Sequence, residues 1–299
     1  MPRSLLALGA NLGNREETLR NALREISALP QTRLLARSTW HETPAVGGPA
    51  GQQEFLNGAV LVDTCLEAEI LASHLQQIET RQGRERKIRW AARTLDIDLL
   101  LYGSEIVDTP GLSIPHPRMT FRRFVLVPAN EIAGQMVVPL AGWTIAGLLN
   151  HLSTAARYVV ITSDDPGLAD WLASHLCQQL NALRLEDIFA KTQAEDDSQH
   201  LSLVEWQRHS ELRIRLPSQN SIEAENIVPV ISSFLLQPQM PRSRFDFVQP
   251  ALTIAIAPPG GVSCSEVPKI HGPLLRLDAD DLKCAIAEAR AAISAVWPD

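Results

Sequence analysis

Asp96 and Asp98 stand two residues apart in the run RTLDIDLLLYG, residues 93–103. Side chains two apart in a strand share a face, so the two carboxylates point one way while Leu95, Ile97 and Leu99 point into the core. Two carboxylates on one face of so apolar a strand are costly unless something pairs them. A hard divalent cation answers that need, and magnesium is typically held by one or two carboxylates together with substrate phosphates. The competing reading is an exposed edge strand with two solvated aspartates. Directly upstream lie six basic side chains, Arg81, Arg84, Arg86, Lys87, Arg89 and Arg93. Arginines converging on a carboxylate-held metal would share the charge of a polyphosphate such as ATP, and Trp90 could lay an aromatic face nearby. No GxxxxGK[ST] phosphate loop occurs in the chain, so such a nucleotide site needs a different architecture.

A basic run can also be a solvated face or a nucleic-acid patch. This one is short, contains Glu85, and belongs to a half of the chain without net charge. Residues 1–152 hold fifteen Lys and Arg against fifteen Asp and Glu. The remainder holds 12 against 19, which supplies the whole net charge of −7. A nucleic-acid surface needs a broader basic footprint, so nucleic acid is excluded as a partner, and the two halves are expected to do different jobs.

The 299 residues suggest two domains, and 45% hydrophobic content is enough for sizeable cores. No apolar run approaches the roughly 20 residues of a membrane span, and the N-terminal MPRSLLALGANLGN lacks a cleavable signal pattern. A soluble, cytoplasmic protein is expected. The four cysteines, Cys65, Cys177, Cys264 and Cys284, are far apart and form no CxxC pair; they read as reduced thiols, not metal ligands.

The elements that must position the aspartates follow from periodicity. SLLALGA (4–10) reads as a buried strand. Asn14 and Glu17 form a capping pair ahead of a helix carrying Leu19, Leu23, Ile26 and Leu29 and stopped by Pro30. RLLARSTWHET (33–43) and FLNGAVLVDT (55–64) read as strands around a Gly/Pro-rich loop. Thr64 and Glu67 suggest a second capping box, opening a helix that ends at Gly83. With the aspartate strand this gives the order β-α-β-β-α-β, an α+β, ferredoxin-like (split βαβ) domain. The pattern restarts near residues 152–157. RYVVITS, ELRIRLP and PALTIAIAPP read as strands, QAEDDSQH as an acidic loop, SIEAENIVPVISSFLL as a helix interrupted by Pro229, and the C-terminus as strand, Asp cap and helix. This second half is expected to be an α/β domain with a parallel sheet. The expected division is 1–155 and 156–299.

Several motifs, LGANLGN, ETPAVG, FLNGAV, IETRQGRERKIRWAARTLDID and IPHPRMTFRRFVL, occur in order over about 150 residues. Together they resemble the 6-hydroxymethyl-7,8-dihydropterin pyrophosphokinases of folate biosynthesis. The resemblance implies transfer of the β,γ-pyrophosphoryl group of ATP to the pterin hydroxymethyl group, leaving AMP. It implies that Asp96 and Asp98 hold two magnesium ions. It implies ATP contacts from Arg84, Arg86, Arg93, His116 and Arg122, with Trp90 in the loop over the site and Glu79 near ATP or that loop; Arg84, Arg93, Asp96 and Asp98 would be the catalytic set. Phe55 and Phe124 would sandwich the pterin, while Asn57 and the backbone from Thr43 through Pro44 to Val46 would read its amide edge. Ala91–Ala92 stands where the family commonly has Gly-Pro, and Phe55 where many members have tyrosine.

The second half more weakly resembles P-loop deoxynucleoside kinases, with TSDDPGLAD where the phosphate loop would be. That stretch has no lysine and two aspartates that would repel phosphate. A catalytically silent, degenerate kinase-like module is the leading expectation for it. Two alternatives stand beside the enzyme reading: a non-catalytic pterin-fold scaffold, and a bifunctional protein with a second nucleotide-dependent activity in 156–299.

Overall fold

The computed structural model of the chain describes residues 1–49, 51–83, 92–155, 158–184, 230–233, 250–259 and 272–297. The chain divides into two compact units. The first comprises Met1–Ser153 with Lys269–Leu274 and Ala291–Asp299, the second Thr154–Pro268 with Leu275–Arg290.

The first unit runs β1 (Arg3–Ala10), α1 (Arg15–Ser27), β2 (Thr32–Arg37), β3 (His41–Thr43), β4 (Phe55–Thr64), α2 (Ala68–Arg81) and β5 (Asp96–Tyr102). It continues with β6 (Val107–Thr109), β7 (Leu112–Ile114), α3 (Arg123–Ala133), β8 (Val137–Val138), β9 (Trp143–Thr144) and α4 (Ile145–Thr154). Its main sheet has the order β2-β4-β1-β5, with β3 also paired to β4, and every pair is antiparallel. The central strands β1 and β4 are apolar nearly throughout because both faces are covered. Leu6, Leu8, Val60, Val62, Ile97 and Leu99 form one core with Leu19, Ala22 and Ile26 of α1 and Leu71, Leu75 and Ile78 of α2. Each fully buried Leu or Ile there contributes about 1.5–3 kcal/mol. The opposite face carries α3, which packs on β4 and β1 through an apolar stripe that buries Val125, Leu126 and Ala129.

The Asn14–Glu17 capping pair forms: Asn14 Oδ1 accepts the Glu17 N–H at 3.2 Å and its amide donates to Glu17 Oε2 at 2.9 Å. The expected Thr64–Glu67 box does not. Glu67 is the N-cap of α2 and makes no side-chain cap. Thr64 is instead the last rung of β4 opposite Thr32; its hydroxyl meets that of Thr32 at 2.8 Å and accepts the Leu66 N–H at 3.1 Å. The strand expected over 33–43 is broken between β2 and β3, where Trp40 folds over Gly58: a Cβ on Gly58 would lie 2.3 Å from its ring.

A second sheet has the order β11-β12-β10-β13-β14, from β10 (Tyr158–Thr162), β11 (Leu183–Arg184), β12 (Val230–Ser233), β13 (Leu252–Ala257) and β14 (Leu274–Asp278), with the helices α5 (Pro166–Leu180) and α6 (Leu282–Val296), whose residues from Ala291 on belong to the first unit. The pairs β11–β12, β12–β10 and β10–β13 are parallel. Six consecutive buried residues in β13 are the mark of a strand covered on both faces. Val230–Ser233 forms a parallel strand where the sequence suggested helix; Pro229 just before it and the β-branched Val230 and Ile231 suit an interior strand better than a helix. The acidic loop at 193–200 and the strand expected at ELRIRLP lie outside the described residues. None of the helices among the described residues is long and apolar enough to cross a membrane.

Candidate active site

The register of the first sheet assembles the site. Asp96 stands opposite Gly9 and Asp98 opposite Ala7; on the other side of β1, Gly9 stands opposite Asn57 and Ala7 opposite Ala59. Residues directly opposite in a ladder share a face, and Phe55, two residues before Asn57, shares it too. Thr43 pairs with Phe55. One sheet face thus carries Asp96 and Asp98 at one side, Thr43, Phe55 and Asn57 at the other, and the small Ala7 and Gly9 between them. A Cβ on Gly9 would lie 2.8 Å from Asn57 Oδ1, so the floor has no room for a side chain. Asn57 is fixed by donating from Nδ2 to Thr43 Oγ1 at 2.7 Å.

The start of α3 forms the opposite wall. Its N-cap Arg122 and Phe124 line the same cleft as Asp96, Asp98, Phe55 and Asn57. The Arg122 guanidinium stands 5.4 Å over the Phe124 ring. Burial lowers the Arg122 pKa to about 10, opposed by the charges of Asp98 and Asp96, so it remains a cation at neutral pH. Arg93 ion-pairs with Asp96 through Nη1 and Oδ2.

A second cavity lies along β5, lined by Gln76 and Glu79 of α2, by Leu112 of β7, and by Asp98 and His116. Asp98 therefore borders both cavities. The Arg118 N–H donates to His116 Nδ1 at 3.2 Å, which leaves Nε2 as the protonated nitrogen of the neutral ring; Nε2 faces Asp98 Oδ2 at 3.8 Å. Burial pushes the His116 pKa down, with Asp98 opposing and Arg122 and Arg118 adding to the shift. Glu79 is buried and accepts the Ile97 N–H at 2.7 Å.

Of the residues singled out from sequence, Thr43, Phe55, Asn57, Asp96, Asp98, Arg122 and Phe124 meet in the first cleft, with Arg93 on Asp96. Glu79 and His116 meet in the second cavity. Pro44 and Val46 follow β3 in the segment before β4 and do not belong to the described cleft wall. Arg84, Arg86 and Trp90 lie outside the described residues, as do Lys87 and Arg89. Arg81, the first of the basic run, is engaged by Glu25 of α1 at 2.7 Å. Sequence reasoning missed the floor residues Ala7 and Gly9, although small residues alternating with leucines in LALGA are a usable signal. It also missed Gly58, which admits Trp40.

Among the described residues no group of three or more His, Cys, Asp or Glu side chains could hold a metal by itself. The Asp96/Asp98 pair, two hard oxygen donors on one face of the first cleft with Asp98 also bordering the second cavity, fits magnesium, which keeps water and phosphate oxygens in its remaining positions.

A family profile described as 7,8-dihydro-6-hydroxymethylpterin-pyrophosphokinase (HPPK) matches residues 5–134. The chain is 42% identical over 139 residues to the 2-amino-4-hydroxy-6-hydroxymethyldihydropteridine pyrophosphokinase of Haemophilus influenzae, covering 46% of this chain and 86% of that protein. It is 42% identical over 137 residues to the protein of the same name from Pseudomonas aeruginosa, covering 46% and 84%. Among solved structures, Plasmodium falciparum HPPK-DHPS with pteroate aligns at 12% identity and a TM-score of 0.41, covering 59% of this chain and 53% of that one, a likeness too slight to bear on function.

Proposed function

The chain belongs to the 7,8-dihydro-6-hydroxymethylpterin-pyrophosphokinase family, and we infer from this how its two cavities divide the work. The enzyme transfers the pyrophosphoryl group of ATP to the hydroxymethyl group of 6-hydroxymethyl-7,8-dihydropterin in folate biosynthesis, leaving AMP. The observation that carries the site assignment is the sheet register that sets Asp96 and Asp98 across the Gly9 floor from Asn57, with Arg122 and Phe124 facing them.

In this reading the first cleft takes the pterin. Phe55 and Phe124 are its two aromatic plates. Asn57, with Thr43 and the backbone of Pro44 and Val46, reads its amide edge. The second cavity takes the nucleoside end of ATP beside Glu79, and Asp98 stands where the two ligands meet. Asp96 and Asp98 hold magnesium, two ions by the family pattern, which when bound neutralises phosphate charge and orients it. Arg93 and Arg122 place positive charge on the transferring group, joined by Arg84, Arg86 and Trp90 on the strength of the resemblance. His116 offers its Nε2–H as a hydrogen-bond donor to a phosphate oxygen. The P–O bond between the α- and β-phosphates breaks as the pterin oxygen bonds to the β-phosphorus, and AMP leaves. Such a transfer needs alignment and charge neutralisation more than covalent help from the protein.

The first sheet, read β5-β1-β4-β2, supports a ferredoxin-like, split βαβ domain over 1–155. For 156–299 the strand order supports a degenerate P-loop-kinase-like domain. β10 lies between β12 and β13, so its carboxyl end is the topological switch point where such sheets bind ligands. Only three residues, 163–165, connect β10 to α5 there. The Asp165 carboxylate accepts the Gly167 and Leu168 N–H groups at 2.8 and 3.3 Å, covering the amides that a phosphate would need. The module is accordingly read as non-catalytic, and a cytoplasmic setting accords with the chemistry of the whole. Quenched reactions of the chain with magnesium-ATP and the pterin alcohol test the assignment: AMP in equal amount to pterin diphosphate supports it, and ADP as the nucleotide product refutes it.

A further inference from the structure

Glu131 stands near the carboxyl end of α3, two turns beyond Phe124. Residues seven apart lie on one helix face, so the face that holds Phe124 over the cleft also carries Glu131, with buried Pro128 between them. About 10 Å of helix separates the two. α3 packs on β3 as well as on β4 and β1. His41 of β3 stands opposite Asn57 and two residues before Thr43, so it shares the sheet face of Thr43, Phe55 and Asn57. The space between helix and sheet therefore has the cleft toward one end and Glu131 with His41 toward the other.

At this second end the two walls are tied together. The Glu131 carboxylate accepts the Thr39 N–H at 2.8 Å and the Thr39 hydroxyl at 2.9 Å, and it lies 2.5 Å from His41 Nε2. Burial opposes its ionisation, but Thr39 and His41 outweigh burial and hold its pKa below the usual carboxylate value. An ionised carboxylate only accepts, so His41 Nε2 carries the proton and donates. Hydrogen bonds to an ionised group are about twice as strong as neutral ones. The sheet side of this latch is itself fixed. The Ser38 N–H donates to the Ala59 carbonyl at 2.9 Å, Ser38 Oγ accepts the Ala59 N–H at 2.8 Å, and Trp40 fills the space over Gly58. Glu131 lines neither of the two cavities described above, so it acts on a ligand only through the helix that carries it.

We propose that Glu131 is a positioning residue for the pterin: bonded to Thr39 and His41, it sets how far α3 stands from β3 and β4, and with that the spacing of the Phe55 and Phe124 rings. This rests on the reading of those two rings as the plates of the pterin sandwich. Stacking depends steeply on spacing, because a gap of about 0.5–1 Å forfeits a quarter to a half of the contact energy. The second cavity is built on α2, β5 and β7, so the nucleoside end of ATP depends far less on where α3 lies.

A double-mutant cycle on the full-length chain tests this. The pterin alcohol is titrated by calorimetry into chain saturated with a non-transferable magnesium-ATP analogue, and the analogue into the chain alone, for wild type, Glu131→Ala, Phe124→Ala and the double variant. Glu131→Ala is expected to weaken pterin binding at least about fivefold and the analogue by less than about twofold. In the Phe124→Ala background no plate is left to position, and adding Glu131→Ala is expected to weaken pterin by less than about a further twofold. Glu131→Gln keeps an acceptor for the Thr39 N–H and is expected to recover most of the affinity. A merely structural Glu131 would lower the melting temperature and leave the pterin affinity of the folded chain unchanged, weaken both ligands alike, or add its full effect to that of Phe124→Ala; each of these results overturns the proposal. If Phe124→Ala binds pterin as tightly as wild type, the sandwich reading itself has failed and the latch falls with it. His41→Ala loosens the same latch from the sheet side and leaves the Thr39 bonds in place, so the cycle is run with it and stays decisive if Glu131→Ala does not fold.

Discussion

The Glu79 carboxylate accepts the Ile97 N–H at 2.7 Å, at the residue that separates Asp96 from Asp98. β5 is the edge strand of its sheet, so this amide needs a partner from outside the ladder, and a buried carboxylate on α2 supplies it. Glu79 thus fixes the backbone on which both Asp96 and Asp98 are mounted. Glu79→Ala is expected to destabilise the chain by about 1–3 kcal/mol by leaving a buried amide unsatisfied. Glu79→Gln, which keeps an acceptor oxygen, is expected to lose less. Urea unfolding midpoints of the two variants check this; equal losses would mean that the charge, not the hydrogen bond, is what matters.

The proposed function divides the labour between the walls of the cleft. Arg93→Ala is expected to lower kcat far more than it weakens pterin binding, because Arg93 pairs with Asp96, which the proposed function assigns to the phosphates. Phe124→Ala is expected mainly to weaken pterin binding, by about 1 kcal/mol or more of lost stacking. Pterin titrations of both variants beside their turnover numbers separate the roles, and equal losses of pterin affinity would contradict the division.

Away from the site, Glu131 of α3 ties down the turn between β2 and β3. Burial alone would raise its pKa, but the Thr39 N–H at 2.8 Å, the Thr39 hydroxyl and His41 outweigh it and hold it below the usual value of 4.5. A carboxyl whose pKa is depressed by folding stabilises the fold above its unfolded pKa and loses that contribution as pH falls through the folded one. Thermal melts are therefore expected to show stability dropping as the pH is lowered below about 4.5, the ordinary value for this group. Glu131→Gln should flatten that part of the pH profile, and an unchanged profile would remove Glu131 from the account.

A fragment ending at residue 155 is expected to keep turnover, because every assigned site residue lies at or before Phe124. It is also expected to melt below the full chain. Lys269–Leu274 and Ala291–Asp299 belong to the same compact unit, and the Gly272 N–H donates to the Ala141 carbonyl at 3.3 Å. Calorimetry of the full chain with Asp98 replaced by alanine should reveal no second magnesium-ATP site, since Asp165 covers the α5 amides. A residual micromolar site would mean that the second unit binds nucleotide after all.

Much of this site was legible in the sequence, for identifiable reasons. Asp96 and Asp98 stood out because a period of two in an apolar strand leaves few readings for paired carboxylates. The Asn14 cap was legible because it is satisfied within four residues. The failures are of the opposite kind. Thr64 looks like a cap, but its hydroxyl is taken by Thr32 across the ladder, a partner no local pattern reveals. Val230–Ser233 is a strand because neighbours on either side complete a parallel sheet, whereas the surrounding residues give no clear period. Glu131 looks like any glutamate on a helix; its partners stand 90 and 92 residues away.

Turnover of Asp98→Ala, measured as AMP released from ATP in the presence of the pterin alcohol, tests the central claim most directly. Asp98 borders both cavities, faces His116 and lies on the sheet face that carries Phe55 and Asn57. Removing it should cost several kcal/mol of transition-state stabilisation while the chain still folds, since this side chain points into the cleft and not into the core. The account predicts turnover reduced by at least a thousandfold, about 4 kcal/mol, with the far-ultraviolet circular dichroism of the wild type. Activity within about tenfold of wild type, roughly 1.4 kcal/mol, would contradict it.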